Sequence, residues 1–362
     1  MVMQIGIVGL PFSGKSTLFQ TITKTHFDQF QLAKSEAHRT VIKVPDKRLD
    51  NLTDIFKPQK RTNASIEFVD VVGLQKGDSS SAQFTGNFLS TVKTNDALIQ
   101  VVHLFENETA PHPSGSIDMM RDINTFETEF ILSDMAIIEK RIESLKKQIL
   151  KIHDDHLKRE LIILEKCSDI LQQEKPLREF EFSKDEYHIL KTYQLLTIKP
   201  MLIALNLDEN HIGGVEKFLA ELVKTKVGKN TKALHFFGEI ELEFSDLDEN
   251  DTKSFMEEYG IKESALDSII REAYNLLGLQ SFFTVGEDEC RAWTIHQGMN
   301  AQEAAGVIHT DFYNKFIRAE VTHYDDFVKY GSFAKAKENG VWKLEGKEYI
   351  VEDGDIISVR HN

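Results

Sequence analysis

The run Gly9-Leu10-Pro11-Phe12-Ser13-Gly14-Lys15-Ser16-Thr17 follows an apolar segment, Met3 to Val8, and matches the pattern G-x-x-x-x-G-K-[ST]. A chain that starts this way must place a buried strand, a phosphate-sized loop and a helix in immediate succession. Gly9 and Gly14 let backbone N–H groups turn inward onto phosphate oxygens, and the helix opening near Lys15 presents its positive end to the same charge. Lys15 is expected to reach the β and γ phosphates and Ser16 to hold Mg²⁺. Gly9, Pro11, Phe12, Ser13, Gly14, Lys15, Ser16 and Thr17 are the candidate nucleotide-binding residues of the loop, with Thr17 read mainly as the second residue of the helix. A glycine-containing turn that binds nothing is the alternative, and the strand–loop–helix order argues against it.

Composition narrows the remaining choices. At 362 residues the chain is too long for one ordinary core, and two or three domains are expected. Its 43 Lys plus Arg face 58 Asp plus Glu, a net charge of -15, so the surface repels polyanions unless basic residues gather locally. DNA sequence recognition is not expected, and any RNA contact must be regional. The two cysteines, Cys167 and Cys290, give neither a disulfide framework nor a thiolate metal site, which suits a cytoplasmic location. The N-terminal apolar stretch lacks a basic leader, so it does not read as a signal peptide. No apolar run approaches the ~20 residues of a membrane helix, and no membrane partner is expected.

Beyond the loop, a helix is expected over Lys15 to Thr23, and Lys24 to Arg39 has no clear period. Switch proteins of the phosphate-loop class draw a Mg²⁺-binding threonine from such a stretch. Thr40 is available, but it leads the strand Thr40 to Val44 and reads first as strand. Ala64 to Val72 is the next buried strand and ends in Asp70-Val71-Val72-Gly73, a D-x-x-G pattern that makes Asp70 the Mg²⁺-side partner of Ser16. Leu74 follows, where Ras-like enzymes carry the glutamine that orients the attacking water. A leucine cannot hydrogen-bond, so hydrolysis needs another group. His112, between Pro111 and Pro113 in a loop after the strand Asp96 to Phe105, is the candidate; the alternative is an ordinary exposed loop histidine.

From Asp118 glycine disappears until Gly213. Ile131, Met135, Ile138, Ile142, Leu145, Ile149 and Ile152 form a heptad seam that Leu157, Leu161, Leu164 and Leu171 continue after a polar turn. An antiparallel helical hairpin is expected. Its tip carries Lys140, Arg141, Lys146, Lys147, Lys151, Lys158 and Arg159, either a solvated face or an RNA-facing one. Ser183 with Glu186 forms a capping box for a helix through Leu196, and Lys199 to Leu207 is again a buried strand. That strand ends in Asn206-Leu207-Asp208-Glu209, where GTPases place N-K-x-D. With Leu207 for the lysine and Glu209 for the aspartate, the case for guanine weakens and adenine stays open.

These residues, together with Val44 to Asp50, Phe68 to Gly77, Gly115 to Asp118, Leu195 to Thr197 and the long run Gly278 to Asn362, resemble the YchF or Obg-like ATPase family along the whole chain. The resemblance implies a Ras-like α/β phosphate-loop domain with an inserted antiparallel helical hairpin and a C-terminal β-grasp (TGS) domain. It implies ATP preference through N-x-x-E, ATP and Mg²⁺ as ligand and cofactor, association with a ribosome or ribonucleoprotein, and a catalytic histidine matched by His112. The expected boundaries are 1–123 and 197–279 for the nucleotide-binding domain, 124–196 for the coiled-coil hairpin and 280–362 for the TGS domain.

The departures from the family gather around the phosphates. Phe12 and Ser13 stand where it usually has asparagine and valine, and that asparagine helps hold a monovalent cation. The first switch is unrecognisable between Ala33 and Thr40, the glycine-rich second switch has become the serine-rich Asp78 to Asn87, and Phe237-Gly238-Glu239 replaces a Ser-Ala-Lys-like base loop. Each lost glycine narrows the conformations open to a moving loop. The expected function is a nucleotide-dependent switch that binds and slowly hydrolyses ATP; a nucleotide-binding scaffold without turnover and a GTPase are the competing readings.

Overall fold

The computed structural model describes residues 3–23, 38–71, 84–152, 154–245, 251, 256 and 264–362. In chain order these form β1 (Gln4–Gly9), α1 (Lys15–Thr23), β2 (His38–Lys43), α2 (Lys47–Phe56), β3 (Lys60–Thr62), β4 (Ser65–Asp70), α3 (Gly86–Lys93) and β5 (Ala97–Leu104). Next come α4 (Met119–Ile149), α5 (Asp155–Leu171), α6 (Lys184–Lys191), β6 (Met201–Leu207), α7 (Val215–Thr225), β7 (Thr231–Phe236), α8 (Gly238–Ser245) and α9 (Ala265–Leu276). The C-terminal elements are β8 (Leu279–Thr284), β9 (Glu289–His296), α10 (Ala301–Ile308), α11 (Thr310–Asn314), β10 (Phe316–His323), α12 (Tyr324–Tyr330), α13 (Phe333–Glu338), β11 (Lys343–Glu345) and β12 (Asp355–His361).

The first sheet runs β2-β4-β1-β5-β6-β7, and the pairs β4·β1, β1·β5, β5·β6 and β6·β7 are parallel. Every residue of β5 and of β6 is buried, as parallel strands covered on both faces require. Phe126 and Phe130 of α4 close one side of this core with Phe88 of α3 and Leu98 and Val102 of β5. The loops that leave β1, β5, β6 and β7 at their carboxyl ends all emerge along one edge, where open parallel sheets hold their ligands.

Between β5 and β6 the helices α4 and α5 form the antiparallel hairpin. Ile131, Ile138 and Leu145 recur at heptad spacing in its core against Leu164, Cys167 and Leu171. The seam ends sooner than the sequence pattern suggests, since Ile152 in the turn is 58% exposed. Asp134 is fully buried at the middle of α4, where it accepts the N–H groups of Leu196 and Thr197 and the Thr197 hydroxyl. Ser183 and Glu186 make both halves of the expected capping box, but α6 stops at Lys191, not Leu196, and a turn leads on to β6.

The chain divides into two compact units, Met3–Thr40 with Glu67–Leu276 and Val41–Ile66 with Leu277–Asn362. This differs from the boundaries expected above: the hairpin stays within the first unit, and residues 41–66, placed in the nucleotide-binding domain from sequence, belong to the second. The cause is a set of contacts remote in sequence. β3 pairs with β9 in parallel, Arg48 makes two hydrogen bonds to Asp353 at 2.8 and 3.2 Å, and Phe56 stacks on Phe327 at 5.5 Å. The second sheet runs β11-β10-β12-β8-β9-β3, with β8 and β12 parallel at its centre and antiparallel hairpin partners on either side. That is the β-grasp order with β3 added to one edge. Its core includes Phe282, Ile295, Ala304 and Val321, beneath α10, which starts at an Asn300–Glu303 capping box.

Candidate functional site

The loop between β1 and α1 is shaped by its two glycines. A Cβ on Gly9 would lie 2.6 Å from the Val101 carbonyl, and one on Gly14, whose φ is +91°, would lie 2.1 Å from Asn206 Nδ2. Phe12 also has a positive φ, 61°, a left-handed conformation that costs a bulky L residue ~1–2 kcal/mol. Its ring is 42% exposed at the mouth of a cleft of about 530 Å³. Gly14, Lys15, Ser16 and Thr17 line the phosphate end of that cleft, while Gly9, Pro11 and Ser13 shape the loop from behind.

Lys15 is buried, with Nζ 2.9 Å from the Leu10 carbonyl. Burial lowers its pKa to about 8, against the pull of Asp70. Asp70, at the end of β4, is buried too; burial raises its pKa, while Lys15 and then His38 oppose the rise. A desolvated ammonium and a desolvated carboxylate suit a phosphate and a divalent cation respectively, each buried charge lacking a counter-charge from solvent. Ser16 and Asp70 therefore fit Mg²⁺, whose remaining ligands would be phosphate and water. Among the described residues no three His, Cys, Asp or Glu side chains converge into a metal site of their own. Gly73, Leu74, the stretch Lys24 to Ala37 and most of the serine-rich second switch lie outside the described residues. Thr40 sits half-buried within β2.

Against the back of this loop, Asn206 is 4% exposed and both ends of its amide are engaged. Nδ2 donates to the Ser13 carbonyl at 3.1 Å, and Oδ1 accepts the Gly238 N–H at 3.0 Å. Asn206 thus braces the phosphate loop against the β7–α8 turn. Leu207 is buried beneath the cleft floor, and Asp208 is taken up by the N–H groups of Glu106 and Asn210 and by His211. The exposed Glu209 carboxylate lines the cleft without a hydrogen-bond partner among the described residues. Phe105, Glu106, Asn107, Ile240 and Glu243 also line it and were missed from sequence. The end of β5 was the available signal, because it lies beside the end of β6 in a parallel sheet.

His112 is neither exposed nor part of the cleft lining. Its side chain is 4% exposed, with Nε2 2.7 Å from Asp122 Oδ2, in a pocket beside the cleft.

A parallel sheet that delivers a glycine-bounded loop, a buried lysine and a strand-end carboxylate to one edge defines a phosphate-loop nucleoside triphosphatase of the Ras-like class. A family model described as 50S ribosome-binding GTPase matches residues 4–166, and the YchF-type GTPase C-terminal model, described as a protein of unknown function (DUF933), matches 279–362. The chain is 40% identical to the ribosome-binding ATPase YchF of Bacillus subtilis and 37% identical to that of Escherichia coli O157:H7, each over all of both chains. The solved structure of the Schizosaccharomyces pombe YchF GTPase superposes with a TM-score of 0.86 at 32% identity, covering 99% of this chain and 97% of that one. The chain belongs to the YchF family.

Proposed function

We infer that this protein binds ATP, hydrolyses it slowly and uses the bound nucleotide to control association with the ribosome in the cytoplasm. The observation that carries the reading is the cleft itself: it holds a desolvated lysine on a phosphate loop and a Glu209 carboxylate that has no hydrogen-bond partner among the described residues, and Asn206 ties the loop to the β7–α8 turn. Lys15 and the loop amides would hold the phosphates. Ser16 and Asp70 would hold Mg²⁺, which neutralises phosphate charge when bound. An acceptor at the base edge suits the amino group of adenine, so Glu209 would read the base while Asn206 keeps its distance from the phosphates fixed. His112 would assist the attacking water. Relatives named as ribosome-binding ATPases support the ribosome as partner, and the C-terminal β-grasp unit would serve as a TGS-type binding module.

GTP is the second reading, favoured by the GTPase descriptions of the matching family model and solved relative. Competition of ATP and GTP for the Mg²⁺-loaded protein by equilibrium binding tests both. ATP preferred by about tenfold, roughly 1.4 kcal/mol, is the expected result. GTP preferred by that margin would overturn the role of Glu209. Ribosome pull-down with and without a non-hydrolysable ATP analogue tests the partner, and equal recovery in both states would refute nucleotide control.

A further inference from the structure

The loop that carries His112 is fastened to the start of α4. His112 Nδ1 accepts the Ser114 N–H at 3.1 Å, so the ring proton resides on Nε2, which donates to Asp122 Oδ2 at 2.7 Å. The other Asp122 oxygen takes Arg121 Nε at 3.0 Å, and the Arg121 guanidinium reaches Ser116 through its hydroxyl at 3.0 Å and its carbonyl at 2.6 Å. The side chains of His112 and Asp122 are each 4% exposed. Phe105, Glu106 and Asn107 line both the His112 pocket and the nucleotide cleft, so they form the wall between them.

We propose that Asp122 restrains ATP hydrolysis: it fixes His112 as the Nε2–H tautomer and holds the ring behind the wall 105–107, away from the cleft, so that rupture of the His112–Asp122 bond limits turnover. This rests on the assignment of His112 to hydrolysis made above. Among the described residues, the other hydrogen-bond and ring contacts of His112 are the Ser114 N–H, Arg121 at 3.5 Å and the neighbouring ring of His103 at 5.0 Å. A charge-assisted buried hydrogen bond is the strongest of these, and removing it frees the ring while leaving Lys15, Ser16, Asn206 and Glu209 untouched. The Nδ1 lone pair, which accepts the Ser114 N–H inside the pocket, can take a proton from water only when the ring leaves it.

The test is steady-state turnover and ATP binding of Asp122→Ala, His112→Ala and the double variant. Asp122→Ala is expected to raise kcat about fivefold or more with ATP Kd within about twofold, a gain worth only part of one buried charged hydrogen bond. The gain should vanish in the double variant. If His112→Ala lowers turnover but Asp122→Ala leaves kcat unchanged or reduces it, the Asp122 proposal fails and the His112 assignment stands. If His112→Ala leaves turnover unchanged, the assignment itself fails. Should Asp122→Ala not fold, nitrogen-15 shifts of the histidine rings in the wild-type protein decide. The Nε2–H form of His112 without nucleotide, and loss of its hydrogen-bonded signal with ADP and aluminium fluoride, support the proposal; an Nδ1–H form, or an unchanged signal, overturns it.

Discussion

Asn206 and Ser13 are 193 residues apart in sequence and 3.1 Å apart in the fold, amide nitrogen to carbonyl oxygen. The same amide accepts the Gly238 N–H, so a single side chain sets the phosphate loop, the end of β6 and the β7–α8 turn in one frame. Asn206→Ala leaves two buried backbone groups unpaired, each costing ~1–3 kcal/mol. ATP affinity should fall at least tenfold and the melting temperature with it. Asn206→Asp keeps an acceptor for Gly238 but turns a buried carboxylate oxygen onto the Ser13 carbonyl, and should lose at least as much as Asn206→Ala. Isothermal titration and thermal unfolding of the pair check this.

Gly14 takes part in the same frame. Its φ of +91° and the 2.1 Å approach of Asn206 to a hypothetical Cβ leave no room for a methyl group. Gly14→Ala should abolish ATP binding, measured by titration, while Gly213→Ala, where a Cβ meets nothing within 4 Å, should leave it intact.

Phe12 occupies a left-handed position that favours glycine or asparagine. Phe12→Asn should therefore stabilise the protein by ~1 kcal/mol, read as a rise in melting temperature. It also restores the residue that the family resemblance links to a monovalent cation. Turnover of Phe12→Asn should be higher in potassium than in sodium chloride, whereas the parent protein should not distinguish the two salts.

Legibility followed sequence distance. The phosphate loop, α1 and the Ser183–Glu186 capping box use residues within a few positions of one another, and each was read from its own pattern. The two-unit division was not, because it depends on a three-residue strand, Lys60–Thr62, finding β9, and on Arg48 finding Asp353 305 positions away. No periodicity survives in three residues. His112 is the intermediate case: Asp122 lies only ten residues on, but the bond needs the turn Pro113–Ile117 to fold back on α4, which spacing alone does not reveal. At the nucleotide site the motif residues were legible, whereas Phe105 to Asn107 enter through strand order. Asn206 was expected to read the base, and the structure adds the bracing role because its partners are backbone groups invisible to side-chain patterns.

Asp134 supplies a pH dependence whose sign follows from its burial. Burial raises its pKa from 3.8 to about 6, against the opposing donors Leu196 and Thr197. In the unfolded chain the group titrates near 3.8, so between about pH 4 and 6 the native state binds the extra proton and stability falls as pH rises. The contribution is fully present below the unfolded pKa and is lost through the folded one, a swing of roughly 3 kcal/mol at about 1.36 kcal/mol per unit. Asp134→Asn cannot titrate, but its amide nitrogen faces donors, so it should be less stable than the parent at every pH by ~1–3 kcal/mol near neutrality. The gap between the two should widen as pH is lowered from about 7 to about 4, measured by urea unfolding at each pH. A gap that stays constant would show that Asp134 is ionised throughout, held so by its three donors.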